Sequence, residues 1–467
     1  MAERIDANQI EDTLLECRRL LTHSVTDLPE YSTMEKIRTD FPNFVRECHV
    51  AYKQALGILI SQILAIEKQV RRLTRLTVPR GDSLKEKIGQ LKYWKLLLEL
   101  SFNTFVWIAV GWDRSKVKKV FKGPKYGALT EQNIDLLLDY VNQANQEPED
   151  FVVPLDFCRF CSIGDLLRIG FKEPENILKL DFIEAKSGKV NDEMLETIQS
   201  RQQSQYLDFF DKYGRKGIKQ MERYFRQQHA LIENLKLMHA EPGIYNNPAK
   251  EDEKFIICAN ETIPEDYTSK VIQLLESSEK DEYCVDEIDE CLVAGVINTK
   301  CSELAVLADF DIRLFIYHRY INPDALHEPP VSDELVGVLK TIKLRDWREG
   351  FSSVILHPIL VRPIPDKYLL DLLMGRKRLM FFFNPQRFID LCKRNGVNTS
   401  FITTKEANRL KSRGEAKGLL ELDGKFIRCS LQETDLILGE GILGEIFYNW
   451  MRPVSIVESM KSFQLPS

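Results

Sequence analysis

Two long apolar runs at helical spacing, between Asn43 and Trp112, constrain this chain more than any other feature of its sequence. In Asn43–Arg75 the side chains of Leu56, Leu59, Ile60, Ile63 and Ile66 recur three and four positions apart, which lines one face of an α-helix. The only nearby proline precedes that run. Pro79-Arg80-Gly81-Asp82 then breaks the pattern, and a second helix is expected over Leu84–Trp112. Residues 1–115 as a whole read as helical. The most apolar stretch, Leu96–Trp112, contains Glu99 and Asn103 and is shorter than the ~20 residues a bilayer span needs, so it reads as a buried helix. Thr130–Asn145 reads as a further helix, with Glu131 and Asp135 in its first turns.

Past residue 150 the texture changes. Phe151–Leu155, Ser162–Ile169 and Lys179–Lys186 are short, apolar and partly β-branched, and turn-like residues from Gly170 to Asn176 separate the last two. Those two read as a β-hairpin. Asn191–His239 returns to a long polar helical stretch rich in Gln. Pro242-Gly243 and Asn246-Asn247-Pro248 end it and mark a domain boundary near 240–250. Beyond about 331, strand-like runs (Ser353–Val361, Arg378–Phe383, Thr399–Thr403, Leu419–Cys429) alternate with helical ones, as in a separate α/β or α+β domain.

At 467 residues the chain has room for roughly two to four domains. Hydrophobic residues make up 44% and charged residues 29%, which excludes wholesale disorder and collagen-like repeats. The net charge of −6 means that any nucleic-acid contact must use local patches. Such patches exist: residues 65–125 hold fifteen Lys/Arg against five acids, and residues 367–417 hold twelve against four. Residues 250–295 are the counterweight, with fourteen acids against four lysines. The basic zones are either solvated helix faces or tracks for a phosphate backbone. The charged N-terminus, MAERIDANQIEDTLLE, lacks an apolar signal core, so a cytoplasmic location with no membrane partner is expected. The ten scattered cysteines are then expected as reduced thiols, and the single CxxC, Cys158-Arg159-Phe160-Cys161, lacks the further ligands of a zinc site.

The most informative local pattern is Ile163-Gly164-Asp165-Leu166-Leu167-Arg168-Ile169, followed by Leu180-Asp181-Phe182-Ile183-Glu184-Ala185-Lys186-Ser187-Gly188-Lys189. One strand offers the Asp165 carboxylate; the next offers a carboxylate and an ammonium two residues apart. Strand alternation puts Glu184 and Lys186 on the same face, with Ile183 and Ala185 on the other. If the hairpin pairs, Asp165 comes close to Glu184. Two carboxylates, a backbone carbonyl and waters make an oxygen cage suited to Mg²⁺. The neighbouring lysine can orient a water or hold a phosphate oxygen.

This pattern resembles the PD-(D/E)XK nuclease superfamily, with its restriction-endonuclease-like αβββαβ core. The resemblance covers roughly residues 95–240. It implies that Asp165 and Glu184 hold the metal together with the Ala185 carbonyl, and that Lys186 is the lysine of the acid-x-lysine signature. The branch typified by RecB carries a Q-x-x-x-Y motif in the following helix, and two candidates exist here: Gln202 with Tyr206, and Gln220 with Tyr224. The second is preferred, because its surroundings (Lys219, Arg223, Arg226) suit phosphate contact. The upstream acid that many members carry has no motif-bracketed counterpart; Glu99, Glu131 and Asp135 are the candidates.

The expected architecture is therefore multidomain, α+β or α/β. It comprises a helical N-terminal region (1–94), the nuclease-like core (95–245), an acidic connecting region (246–330) and a C-terminal α/β partner or sensing domain (331–467). The expected activity is that of a Mg²⁺- or Mn²⁺-dependent nuclease acting on nucleic acid, DNA ahead of RNA. Its role would be that of a prokaryotic anti-phage defence effector by analogy with multidomain relatives, with a protein partner or a second copy bound through the C-terminal half. The competing expectation is a catalytically inactive nuclease fold serving as a nucleic-acid-binding or protein-interaction module. Gly439-x-Gly441-x-x-Gly444 lacks the strand–helix–strand context of a dinucleotide site, and no P-loop is present.

Overall fold

The structure is a computed structural model. It describes residues 5–26, 33–75, 82–112, 116–117, 131–159, 161, 164–172, 177–183, 189–238, 240–241, 243–247, 250–257, 265–281, 283–299, 343–352, 358–414, 416, 419–422, 425–431 and 434–461. The protein is a mixed α+β chain with a helical N-terminus and small antiparallel sheets. It divides into two compact units, residues 1–255 with 358–361, and residues 256–357 with 362–467.

The first unit opens with α1 (Ala7–Thr26), the short α2 (Met34–Thr39), α3 (Phe41–Arg75) and α4 (Asp82–Ala109). The periodic residues of α3, Leu56, Leu59, Ile60, Ile63 and Ile66, are all buried, as the helical spacing requires. They pack against α1 and α4. One window of α3 is long and apolar enough to cross a membrane, with 44% of it buried inside the protein. In α4 the stretch Leu97–Trp107 is almost wholly buried. The helix stops where Gly111 and Trp112 take left-handed backbone (φ +66° and +62°) and their amides turn back to Ile108 and Trp107 carbonyls.

Helix α5 (Glu131–Ala144) leads into β1 (Asp150–Pro154). The Asn145 side chain joins the two: its amide donates to the Val152 carbonyl at 3.1 Å and its oxygen accepts from the Val152 N–H at 2.8 Å. A single 3₁₀ turn (Leu155–Phe157) follows, then β2 (Leu166–Lys172) and β3 (Ile177–Ile183). The three strands form one antiparallel sheet in the order β1-β2-β3. The expected turn from Gly170 begins later than the sequence suggests, because β2 continues through Gly170 and Phe171 to Lys172, paired with Lys179, Leu178 and Ile177.

The long polar stretch after the hairpin is not one helix. It forms α6 (Lys189–Ser200) and α7 (Gln203–Met238), separated by Arg201 in left-handed backbone (φ +56°), and α7 itself breaks at Gly214 (φ +53°). Met194, Phe209 and Met221 bury their side chains together, with Tyr206 and Tyr224 packed alongside. Strands β4 (Gly243–Asn247) and β5 (Lys250–Ile257) pair with each other as a two-stranded sheet.

The second unit carries α8 (Thr268–Ser277), β6 (Tyr283–Asp289), β7 (Leu292–Asn298), β8 (Lys343–Asp346), α9 (Asp366–Leu373) and β9 (Lys377–Phe383). Its first sheet runs β6-β7-β9-β8, all antiparallel. The acidic stretch thus contributes two strands to a sheet it shares with β9. Helix α10 (Pro385–Arg394) and β10 (Asn398–Phe401) follow, then α11 (Thr404–Ser412) and the strands β11 (Glu421–Leu422), β12 (Lys425–Leu431) and β13 (Thr434–Ile437). These strands form a second small sheet, in the order β10-β12-β11 with β13 also on β12, over Ile402, Ala407, Leu410 and Phe426. Two short helices, α12 (Gly441–Tyr448) and α13 (Pro453–Lys461), close the unit. Of the strand expected over Ser353–Val361, residues 353–357 lie outside the described residues and 358–361 form a turn.

Candidate active site at the open end of the hairpin

The candidate site is built on the end of the β2–β3 ladder, where the last register pair is Leu166 with Ile183. One residue before that pair, the Asp165 N–H donates to the Ile183 carbonyl at 2.9 Å, and the Asp165 carbonyl accepts from the Leu155 N–H at 2.8 Å. The backbone of Asp165 is therefore tied to β3 on one side and to the end of β1 on the other. Gly164 makes this possible. Its φ is +73°, and a Cβ placed there would lie 3.0 Å from the Ile183 carbonyl oxygen, so the chain can pass this close to β3 only without a side chain. Asp165 itself is half-buried.

Glu184, Ala185 and Lys186 follow Ile183 directly in the chain and lie outside the described residues. The structure therefore places Asp165 against the last described residue of β3, one peptide from Glu184 in sequence.

The next described element is α6, whose first turn holds Asn191. Its Oδ1 accepts a hydrogen bond from the Gln220 side-chain amide at 2.7 Å. That bond brings the second Q-x-x-x-Y motif to the helix start three residues after Lys186. Tyr224, one turn further along α7, is half-buried and edge-on to Phe225 at 5.9 Å. The first motif behaves differently: Gln202 is exposed, and its backbone carbonyl caps the start of α7 by accepting from Gln205. Tyr206 packs into the same apolar cluster as Tyr224.

The three upstream acids differ sharply. Glu99, on α4, is engaged by two cations, the Lys95 ammonium at 3.3 Å and the Arg159 guanidinium at 3.0 Å, and is only 17% exposed. Lys95 also bonds Glu67 at 2.5 Å. Burial alone would lower the Lys95 pKa, but Glu67 and Glu99 reverse that and hold it above the usual lysine value. Glu99 is thus a counter-ion in a Glu67–Lys95–Glu99–Arg159 chain. Asp135 is exposed on α5, and Glu131 begins that helix with its side chain outside the described residues.

Asn103 and Asn191 were not among the expected site residues, yet both hold hydrogen bonds there. Asn103 Oδ1 accepts from the Arg159 N–H at 3.1 Å and from the Cys158 thiol at 3.2 Å, which pins the loop between β1 and β2 to α4. Asn103 lies inside the most apolar run of the chain, and a polar residue in that position is itself a signal that a buried hydrogen bond is needed. Cys158 and Cys161 are both buried as reduced thiols. Among the described residues, no three His, Cys, Asp or Glu side chains gather into a metal-holding group. The donors expected for Mg²⁺, two carboxylates and a carbonyl, are all hard oxygens of the right chemical kind.

Scans against protein-family models, curated proteins and solved structures find no match to this chain.

Proposed function

We propose that the protein is a divalent-metal-dependent nuclease that hydrolyses phosphodiester bonds, in DNA ahead of RNA. The reading rests on one observation above all: the Asp165 backbone is bonded to Ile183, at the strand end that leads straight into Glu184-Ala185-Lys186. Two further features support it. A helix, three consecutive antiparallel strands and a helix follow one another over residues 131–200, the order of the αβββα part of a restriction-endonuclease-like core. The Gln220–Asn191 bond favours Gln220 and Tyr224 over Gln202 and Tyr206 as the Q-x-x-x-Y pair. The further strand of such a core is not joined to this sheet among the described residues, since β4 pairs with β5.

In this reading Asp165, Glu184 and the Ala185 carbonyl hold Mg²⁺ or Mn²⁺, which supplies charge neutralisation at the phosphate when bound. Lys186 positions the attacking water and donates hydrogen bonds to a phosphate oxygen. Gln220 orients the start of α6, three residues after Lys186 in the chain. The basic segment 65–125 and Lys216, Lys219 and Arg223 on α7 follow the backbone of the nucleic acid, and the second unit recognises a partner or trigger. A role as a defence effector in the cytoplasm is part of the same proposal and rests on analogy of architecture.

One observation favours a second reading, a nuclease fold that binds without cutting: Glu99 already neutralises Lys95 and Arg159, which leaves the third acidic ligand unassigned. Incubation of the full chain with plasmid, linear and single-stranded DNA and RNA, with Mg²⁺ or Mn²⁺, separates the two. Cleavage that is lost in both Glu184→Ala and Lys186→Ala, with circular dichroism unchanged, supports the enzyme. Binding without cleavage under either metal supports the alternative.

A further inference from the structure

The C-terminal part of α7 has two faces of different character. One face packs Met221, Tyr224 and Leu231 toward the interior. Beside it, Ile218, Phe225 and Ile232 are 41%, 49% and 50% exposed. Isolated exposed apolar side chains are ordinary on a protein surface, but these three recur at seven-residue intervals. On a helix that spacing stacks them into one stripe roughly 21 Å long, at 1.5 Å per residue. Such a stripe is the seam that coiled-coil partners bury.

The charges beside the stripe indicate what covers it. Glu222 and Glu233 alternate with Arg215 and Arg226 on the same edge. We propose that this stripe is the contact face of a symmetric homodimer, in which α7 of a second copy runs antiparallel about a two-fold axis at Phe225. In that alignment Ile218 meets the partner's Ile232 and Phe225 meets the partner's Phe225. Glu222 then lies toward the partner's Arg226, and Arg215 toward the partner's Glu233, whose carboxylate Lys236 of its own helix also holds at 2.8 Å, so acid meets base along that one edge. A parallel alignment puts these charges on opposite sides of the seam, each facing the partner's uncharged edge of Gly217, Tyr224 and Gln228, and forms no such pairs. The acids at the edge also oppose a phosphate backbone in this position. Of the residues assigned above to nucleic acid, Lys216 and Arg223 sit roughly 160–180° round the helix from Phe225 and Lys219 about 120°, at 100° per residue, so they stay open in the dimer.

Sedimentation velocity on the full chain over a concentration series tests this proposal. The wild type is expected to show a monomer–dimer equilibrium, and Phe225→Glu to raise the dissociation constant at least about tenfold with an unchanged thermal transition. Glu222→Arg and Arg226→Glu should each weaken the dimer, and the double variant should restore it, because the reversed pair is again complementary. A bifunctional maleimide should join Ile218→Cys to Ile232→Cys in a mixture above the wild-type background and join neither to itself. A monomer at every concentration, as coverage of the stripe by another part of the same chain would give, overturns the proposal. So does a dimer indifferent to Phe225→Glu, a double variant that fails to recover, or self-joining of Ile218→Cys.

Discussion

At the residue scale, a glycine and an asparagine frame the candidate site: Gly164 lets the chain pass close to β3, and Asn191 holds Gln220. Gly164 holds φ +73° with the Ile183 oxygen 3.0 Å from where a Cβ would sit. Gly164→Ala should therefore cost about 1–3 kcal/mol of stability, measured by urea denaturation, and should lower any cleavage activity further by shifting Asp165. Gln220→Ala removes the bond to Asn191 but leaves Tyr224 in its cluster. It is expected to cut cleavage about tenfold or more with little change in the melting temperature, whereas Gln202→Ala at its exposed position should change neither. His49 provides a pH signature of the helical layer. Burial pushes its pKa down to about 4, while its Nδ1 lies 3.3 Å from the Pro148 carbonyl. Its folded pKa is below the unfolded value near 6.5, so between those limits the unfolded chain binds a proton that the folded one refuses. Stability from this group is constant above pH 6.5 and falls as pH drops from 6.5 toward 4, by up to about 3 kcal/mol. His49→Gln should flatten that part of a curve of denaturation midpoint against pH.

At the element scale, the long helices and the hairpin were legible in the sequence because each buries one repeating face. Leu59, Ile63 and Ile66 in α3 and Leu167, Ile169 and Phe171 in β2 follow the helical and the alternating period, and all are buried. Leu167→Ala, at a fully buried position of β2, should cost about 2–5 kcal/mol in chemical denaturation. Breaks in polar helix were not legible: the interruption at Arg201 and the kink at Gly214 interrupt no apolar pattern, so the stretch reads as continuous. The acidic segment 250–295 hid strands for the same reason. In β6 most residues are only half-buried, and Asp286, Glu287 and Asp289 look like a solvated connector. In β7 the run Leu292–Ile297 is buried on both faces, and too short to show a period. The candidate site was read from a pair of motifs at hairpin spacing, and of these motifs the structure describes Asp165 and the end of β3 at Ile183. What the sequence could not supply was Asn191 as the partner of Gln220, or the engagement of Glu99 by Lys95 and Arg159, because both depend on contacts between distant segments.

At the scale of the whole molecule, net charge and local charge pull in different directions. The chain is acidic overall at −6, yet residues 65–125 carry a surplus of ten positive charges. Nucleic-acid affinity carried by such a patch is expected to fall steeply with salt, by about 10³-fold or more between 50 and 200 mM if six or more phosphates are contacted. A fluorescence-anisotropy titration against salt measures that slope directly, and a flat slope would remove segment 65–125 from the interface.

In the proposed nuclease a cation is held between Asp165 and Glu184 with Lys186 beside it. Mn²⁺ binding to the full chain by titration calorimetry, measured alongside cleavage on the same samples, tests this most directly. Asp165→Asn and Glu184→Gln should each lose metal binding and cleavage together. Lys186→Ala should retain the metal and lose cleavage. Metal binding that survives both carboxylate substitutions, or cleavage that survives Lys186→Ala, would contradict it.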